Sequence, residues 1–111
     1  MIHEKELWLL QTFLVGHRVC KAQLVHDYLQ LFFEDGTALN VFNRFDLVDA
    51  PTPGLMQLEG AEASCIMANE PAIEIQFATG ARLCIDLEDG SWTGTEALEC
   101  EATKGAILVW G

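Results

Sequence analysis

Leu29-Gln30-Leu31-Phe32-Phe33-Glu34-Asp35-Gly36-Thr37-Ala38-Leu39-Asn40-Val41 decides the fold. Apolar residues fall at every second place on either side of a polar turn that ends in glycine, which is the grammar of a β-hairpin. The pattern also selects the turn. A two-residue Asp35-Gly36 loop would set Leu29, Leu31 and Phe33 on one face and Leu39 and Val41 on the other. A three-residue loop, Glu34 to Gly36, pairs Leu31 with Leu39 and Leu29 with Val41, so that all five share one face. A one-residue slip would reverse every side chain, so the three-residue loop is expected, with Gly36 at its left-handed position.

The same grammar recurs. Sliding the sequence by 44 residues places Leu29, Leu31 and Phe33 on Ile73, Ile75 and Phe77, Gly36 on Gly80, and Leu39 and Val41 on Leu83 and Ile85. Upstream, Leu14-Val15-Gly16 falls on Leu58-Glu59-Gly60, and Val19 on Ala63. A period that occurs twice is a duplicated unit rather than a solenoid. In each unit a further strand precedes the hairpin, roughly Arg18 to Val25 and Glu62 to Ala68, with a bulge foreseen where its alternation breaks.

Between the units, Asn43 to Gln57 contains Ala50-Pro51-Thr52-Pro53-Gly54 and is expected to be a connection. After the second unit, Glu96 to Ala102 alternates and Ala106 to Trp110 forms a short apolar strand expected to be buried. Leu7, Leu10 and Leu14 lie at helical spacing and predict a short helix over Glu4 to Phe13. The expected fold is mainly β. Two pseudo-symmetric three-stranded antiparallel units (14–43 and 58–87) and a C-terminal hairpin (95–111) form a small barrel or sandwich within a single domain, 1–111.

With these motifs in place, the chain resembles a family of small bacterial all-β proteins of unknown function. Members carry a Leu-x-Gly start, a long strand and a Leu-x-Leu-x-Phe-x-x-Gly-x-x-Leu hairpin, followed by a second copy. They end in an aromatic-Glu-Ala/Ser strand and a short apolar strand. The matching residues are Leu14-Val15-Gly16, Leu29 to Leu39, Leu58-Glu59-Gly60, Ile73 to Leu83, Glu96-Ala97 and Ile107 to Trp110, with Thr95 where the family has an aromatic. The resemblance implies no catalytic residue. Some similar proteins look like immunity or accessory proteins beside bacterial toxins.

Composition narrows the function. Of 111 residues, seventeen are acidic and six basic, a formal net charge of −11. That speaks against a nucleic-acid binder, which needs a basic face, and against attachment to anionic lipid. No apolar run reaches the length of a membrane span and no basic leader precedes Leu7, so a cytoplasmic protein is expected. Cys20, Cys65, Cys84 and Cys100 form no C-x-x-C pair and read as small apolar residues rather than metal ligands or a disulfide framework. His17 and Cys20, three apart on a strand, point to opposite faces. Asp86, Glu88, Asp89 and Gly90 lack calcium-loop spacing and read as a solvated turn. Neither a cofactor motif nor a catalytic constellation is present.

Two surfaces stand out as interface candidates. The outer face of the first hairpin carries Tyr28, Phe32 and Phe42, three aromatics that call for cover by Leu7, Trp8 and Leu10 or by a second copy; the intramolecular cover is favoured. The equivalent face of the second hairpin reads as polar and wet, with an exposed Glu74–Arg82 pair. The acidic charge is the other feature. Residues 1–55 hold seven acidic and four basic side chains, against ten and two in 56–111, where Asp86, Glu88, Asp89, Glu99 and Glu101 lie. The expected function is a non-enzymatic acidic interaction domain for a basic protein partner, a toxin in the most concrete version. A cation-preferring small-molecule barrel ranks second and a small carboxylate-based enzyme last.

Overall fold

A computed structural model of the chain describes residues 4–26, 28–48, 58–69, 71–87, 98–102 and 105–110. Helix α1 (Glu4–Leu14) is followed by strands β1 (Val19–Val25), β2 (Tyr28–Phe33), β3 (Ala38–Val41), β4 (Phe45–Val48), β5 (Ala63–Asn69), β6 (Ala72–Phe77), β7 (Arg82–Asp86), β8 (Leu98–Glu101) and β9 (Ile107–Trp110). They form two antiparallel sheets, ordered β1-β2-β3-β8-β9 and β4-β7-β6-β5. The sheets do not close into a barrel; the arrangement is a sandwich around one shared core.

Both hairpins take the three-residue loop. Leu29 pairs with Val41 and Leu31 with Leu39. Their copies pair Ile73 with Ile85 and Ile75 with Leu83. Gly36 and Gly80 have φ of 94° and 96°, and each donates its N–H to the carbonyl three residues back, at Phe33 and Phe77. The alternate residues Leu29, Leu31, Phe33, Leu39 and Val41 are all buried, as are Ile73, Ile75, Phe77, Leu83 and Ile85. The Asp35 carboxylate secures the first loop by accepting from the Thr37 N–H at 3.0 Å and the Thr37 hydroxyl at 2.9 Å.

The repeat extends into detail. β1 and β5 each carry a register shift at the same place, between Val19 and Lys21 and between Ala63 and Cys65. The two units meet at an Arg18–Glu62 bridge, whose partners are themselves equivalent positions. Four reciprocal backbone hydrogen bonds surround it. Gly16 N–H donates to Ala63 and Gly60 N–H to Val19, while Val19 N–H donates to Ala61 and Ala63 N–H to His17. This is a pseudo-two-fold axis written in main-chain atoms.

Three expectations are corrected. Phe45–Val48, expected as part of a connection, is a strand that pairs with β7. Its apolar face is short, and the Pro-Gly punctuation just beyond it masked the signal. Strand β9 is not wholly buried: Leu108 enters the core, but Ile107 is 61% and Val109 44% exposed, because an edge strand of period two shows one face to solvent. Helix α1 buries Leu10 and Leu14 and packs chiefly on β5 and β9, leaving Trp8 62% exposed beside β5 rather than over the first hairpin's rings.

Strand β4 reveals the topology. It leaves the first unit and pairs with β7 of the second, while β8 leaves the second unit and pairs with β3 of the first. Phe45 lies opposite Ile85 as Leu98 lies opposite Val41, and Leu47 opposite Leu83 as Cys100 lies opposite Leu39. The two fourth strands are therefore equivalent, in the same register, at an offset of 53 residues instead of 44. Each unit completes the other's sheet.

The loop geometry predicts the effect of substitution. A Cβ at Gly80 would meet no atom within 4 Å, so only the backbone conformation resists a side chain there. Gly80→Ala should therefore lower stability by about 1–2 kcal/mol, and Gly80→Asn by clearly less, because Asn tolerates the left-handed region. Denaturant unfolding of the two variants checks this; equal stability of all three proteins would contradict it.

Candidate interface on the five-stranded sheet

Strand alternation and the exchange of β8 build the site. Residues opposite one another in an antiparallel pair share a face. One row across the outer face of the five-stranded sheet therefore runs Lys21, Phe32, Ala38, Glu101, Ile107, and the next runs Gln23, Gln30, Asn40, Glu99, Val109. Tyr28 stands at the end of the same face, its ring 5.1 Å from that of Phe42 and tilted by 55°. Five of the expected interface residues, Tyr28, Phe32, Phe42, Glu99 and Glu101, are thus brought together although the chain separates them by up to 73 positions. Asp86 stands apart, on the outer face of β7 in the other sheet, where it lies opposite Ala72 and its carbonyl accepts from the Asn43 amide. Glu88 and Asp89 lie outside the described residues.

The middle row of this face is an amide ladder. Gln23 Nε2 donates to Gln30 Oε1 at 2.7 Å, and Gln30 Nε2 to Asn40 Oδ1 at 3.0 Å. Asn40 in turn faces Glu99 across the β3–β8 pair. The three aromatics are half-buried, whereas Glu101, Ile107 and Val109 at the β8–β9 end are exposed. The face therefore combines rings, ordered amides, carboxylates and exposed aliphatics. Aromatic anchors beside polar groups are what protein interfaces use.

The equivalent face of the four-stranded sheet is different in kind. Glu74, expected to be solvated, is only 7% exposed. Its carboxylate accepts from Gln76 Nε2 at 2.7 Å, Arg82 Nη1 at 3.2 Å and Cys84 Sγ at 3.7 Å. Gln76 also reaches Met67 Sδ at 3.2 Å, and Asp46 lies opposite Cys84 from β4. Burial and the neighbouring Glu74 carboxylate push the Cys84 thiol up. These polar groups satisfy one another, which is what burying a charge requires. The first hairpin's face has no such internal closure among its described carboxylates and rings.

Other features were not singled out from sequence. A groove of about 340 Å³ lies between α1 and β5, bordered by Trp8, Thr12, Val15, Ser64 and Ile66. Its polar side chains are spent internally: Gln11 Nε2 donates to the Ile66 carbonyl, the Thr12 hydroxyl to Trp8 and the Ser64 hydroxyl to Gln76. His17, which the sequence sets three residues before Cys20, is half-buried just ahead of β1 with Nε2 3.6 Å from Asp35 Oδ2. Among the described residues no group of three or more His, Cys, Asp or Glu side chains could hold a metal ion, and no helix is long and apolar enough to cross a membrane.

The cysteines differ sharply in environment. Cys20 is exposed, whereas Cys100 is buried in the core, where burial, with Asp35 and Glu99 adding to it, pushes its thiol from an ordinary 9.0 up to about 12. Because the folded value is the higher one, this group's contribution to stability is full below pH 9.0 and is lost as pH rises through about 12. A maleimide should label Cys20 rapidly in the native protein and Cys100 only as the core opens, as read by mass spectrometry of the digested protein. Equal labelling rates would contradict the placement.

No protein-family model, no curated protein and no solved structure matches the chain. Kinship with small bacterial proteins that carry paired Leu-x-Gly and hairpin motifs is therefore a proposal resting on those motifs.

Proposed function

We propose that this chain is a non-catalytic, acidic interaction domain that docks a basic protein partner on the outer face of its five-stranded sheet. One observation carries the reading: the exchange of β8 sets Glu99 and Glu101 on the same face as Tyr28, Phe32 and Phe42. Rings supply contact area at low entropic cost, and carboxylates beside them select a cationic surface and steer its approach. The formal charge of −11 acts in the same direction at longer range. Neutralisation of a toxin in the bacterial cytoplasm, as an immunity-type protein, is the most concrete form of this activity.

The test is association with the product of the neighbouring open reading frame, measured by calorimetry at low and high salt. Binding should weaken as salt rises, and Glu99→Gln with Glu101→Gln should lower the affinity about tenfold at low salt. No association, or association indifferent to salt, would overturn the reading.

A further inference from the structure

The duplication supplies an internal comparison for each position of the docking face. The position equivalent to Ala38 is Arg82: both end the row that crosses the hairpin just after the glycine loop, opposite Phe32 and Gln76 respectively. In the four-stranded sheet the Arg82 side chain rises from that position and its guanidinium meets the Glu74 carboxylate at 3.2 Å. In the five-stranded sheet the same position carries only a methyl group. Ala38 lies between Phe32 on β2 and Glu101 on β8, with Ile107 beyond.

Two strand spacings separate Phe32 from Glu101, roughly 9–10 Å between their Cβ atoms. A planar group in contact on both sides needs about 7–8 Å. The space above Ala38 is therefore a notch with an aromatic ring on one wall and a carboxylate on the other. Lys21 faces Phe32 from β1, so a second cation is directed to the β8 side of the ring. A second copy of this chain does not suit the face, because it would bring another −11 of like charge.

We infer that the notch over Ala38, between Phe32 and Glu101, takes an arginine side chain of the partner; the equivalent Arg82 turns instead to Glu74 on its neighbouring strand, so the comparison marks Ala38 as a position with room for a long side chain and Glu101 as a carboxylate that the other sheet lacks there. The inference rests on the proposed docking of a basic partner and names the chemistry read there. Arginine is favoured over lysine because a guanidinium can lie in the gap as a planar cation, one face on the Phe32 ring and the other toward the Glu101 carboxylate; a compact ammonium does not stack.

Two blocked hexapeptides, alternating glycine with arginine or glycine with lysine, serve as probes at low salt. Their binding is followed by NMR titration of the amide signals of Phe32, Ala38 and Glu101. The arginine peptide should bind roughly three- to fivefold tighter than the lysine peptide. Ala38→Leu, which fills the notch, should abolish that preference, and Phe32→Leu should do the same by removing the ring; circular dichroism confirms that each variant is folded. Equal affinity for the two peptides, or a preference that survives both substitutions, overturns the notch. Equal but salt-sensitive affinities would do so while leaving the basic-partner reading intact. If neither peptide binds, the notch falls, and association with the neighbouring gene product decides the broader reading separately.

Discussion

The reciprocal exchange of fourth strands holds the rest of this structure in place. Each unit makes three strands of a sheet and lends the fourth to its twin, β4 to β7 and β8 to β3. Neither sheet is complete within its own half of the sequence. An unpaired strand edge would leave a row of main-chain donors and acceptors without partners, and the exchange covers β3 and β7 with backbone from the opposite unit. It also forces the two inner faces together, because the chain must cross between sheets twice. The Arg18–Glu62 bridge and its four flanking hydrogen bonds fasten the units on the side away from the exchange. One core of alternating Leu, Ile, Val and Phe side chains then follows from register alone.

The two units share a common frame of strands and register, and their outer faces carry different side chains on it. On β6 and β7 the outward positions hold Glu74, Gln76, Arg82 and Cys84, which bind one another and shield a carboxylate from water. On β2 and β3 the same positions hold Gln30, Phe32, Ala38 and Asn40, which form part of an amide ladder beside a ring and a single methyl group. The first arrangement satisfies charge within the sheet. The second pairs amides with one another and leaves Phe32 half-buried beside them. Because β8 arrives from the other half of the chain, it brings acidic residues to the unit that is poorer in them. The proposed docking activity is thus a consequence of topology as much as of composition.

The hairpins were legible in the sequence because their signal is local. Five apolar residues on one face admit one loop length, and Gly36 and Gly80 have the positive φ that this loop demands. The bulges in β1 and β5 and the helix at Glu4–Leu14 were similarly legible from broken or periodic alternation. What escaped was non-local. The pairing of β4 with β7 and of β8 with β3 joins segments far apart in the chain, and four-residue strands such as Phe45–Val48 carry too few positions to declare themselves. The site was legible as two separate lists, aromatic and acidic; only the strand order puts Tyr28, Phe32 and Phe42 on one face with Glu99 and Glu101 and leaves Asp86 on the other sheet. Glu74 misled for a related reason: alternation assigns it to the outer face, but its burial is decided by side chains from both neighbouring strands.

The exchange itself can be measured directly. A protease site placed between Pro51 and Gly54, in the Pro-Gly segment that joins the units, allows the folded chain to be cut into two fragments. Because β4 of the first fragment pairs with β7 of the second, and β8 of the second with β3 of the first, the cut protein should elute as one particle of undiminished mass. Its β-sheet circular dichroism should be unchanged, and dissociation should require denaturant. Two fragments that separate on dilution, each retaining its own folded sheet, would contradict the account.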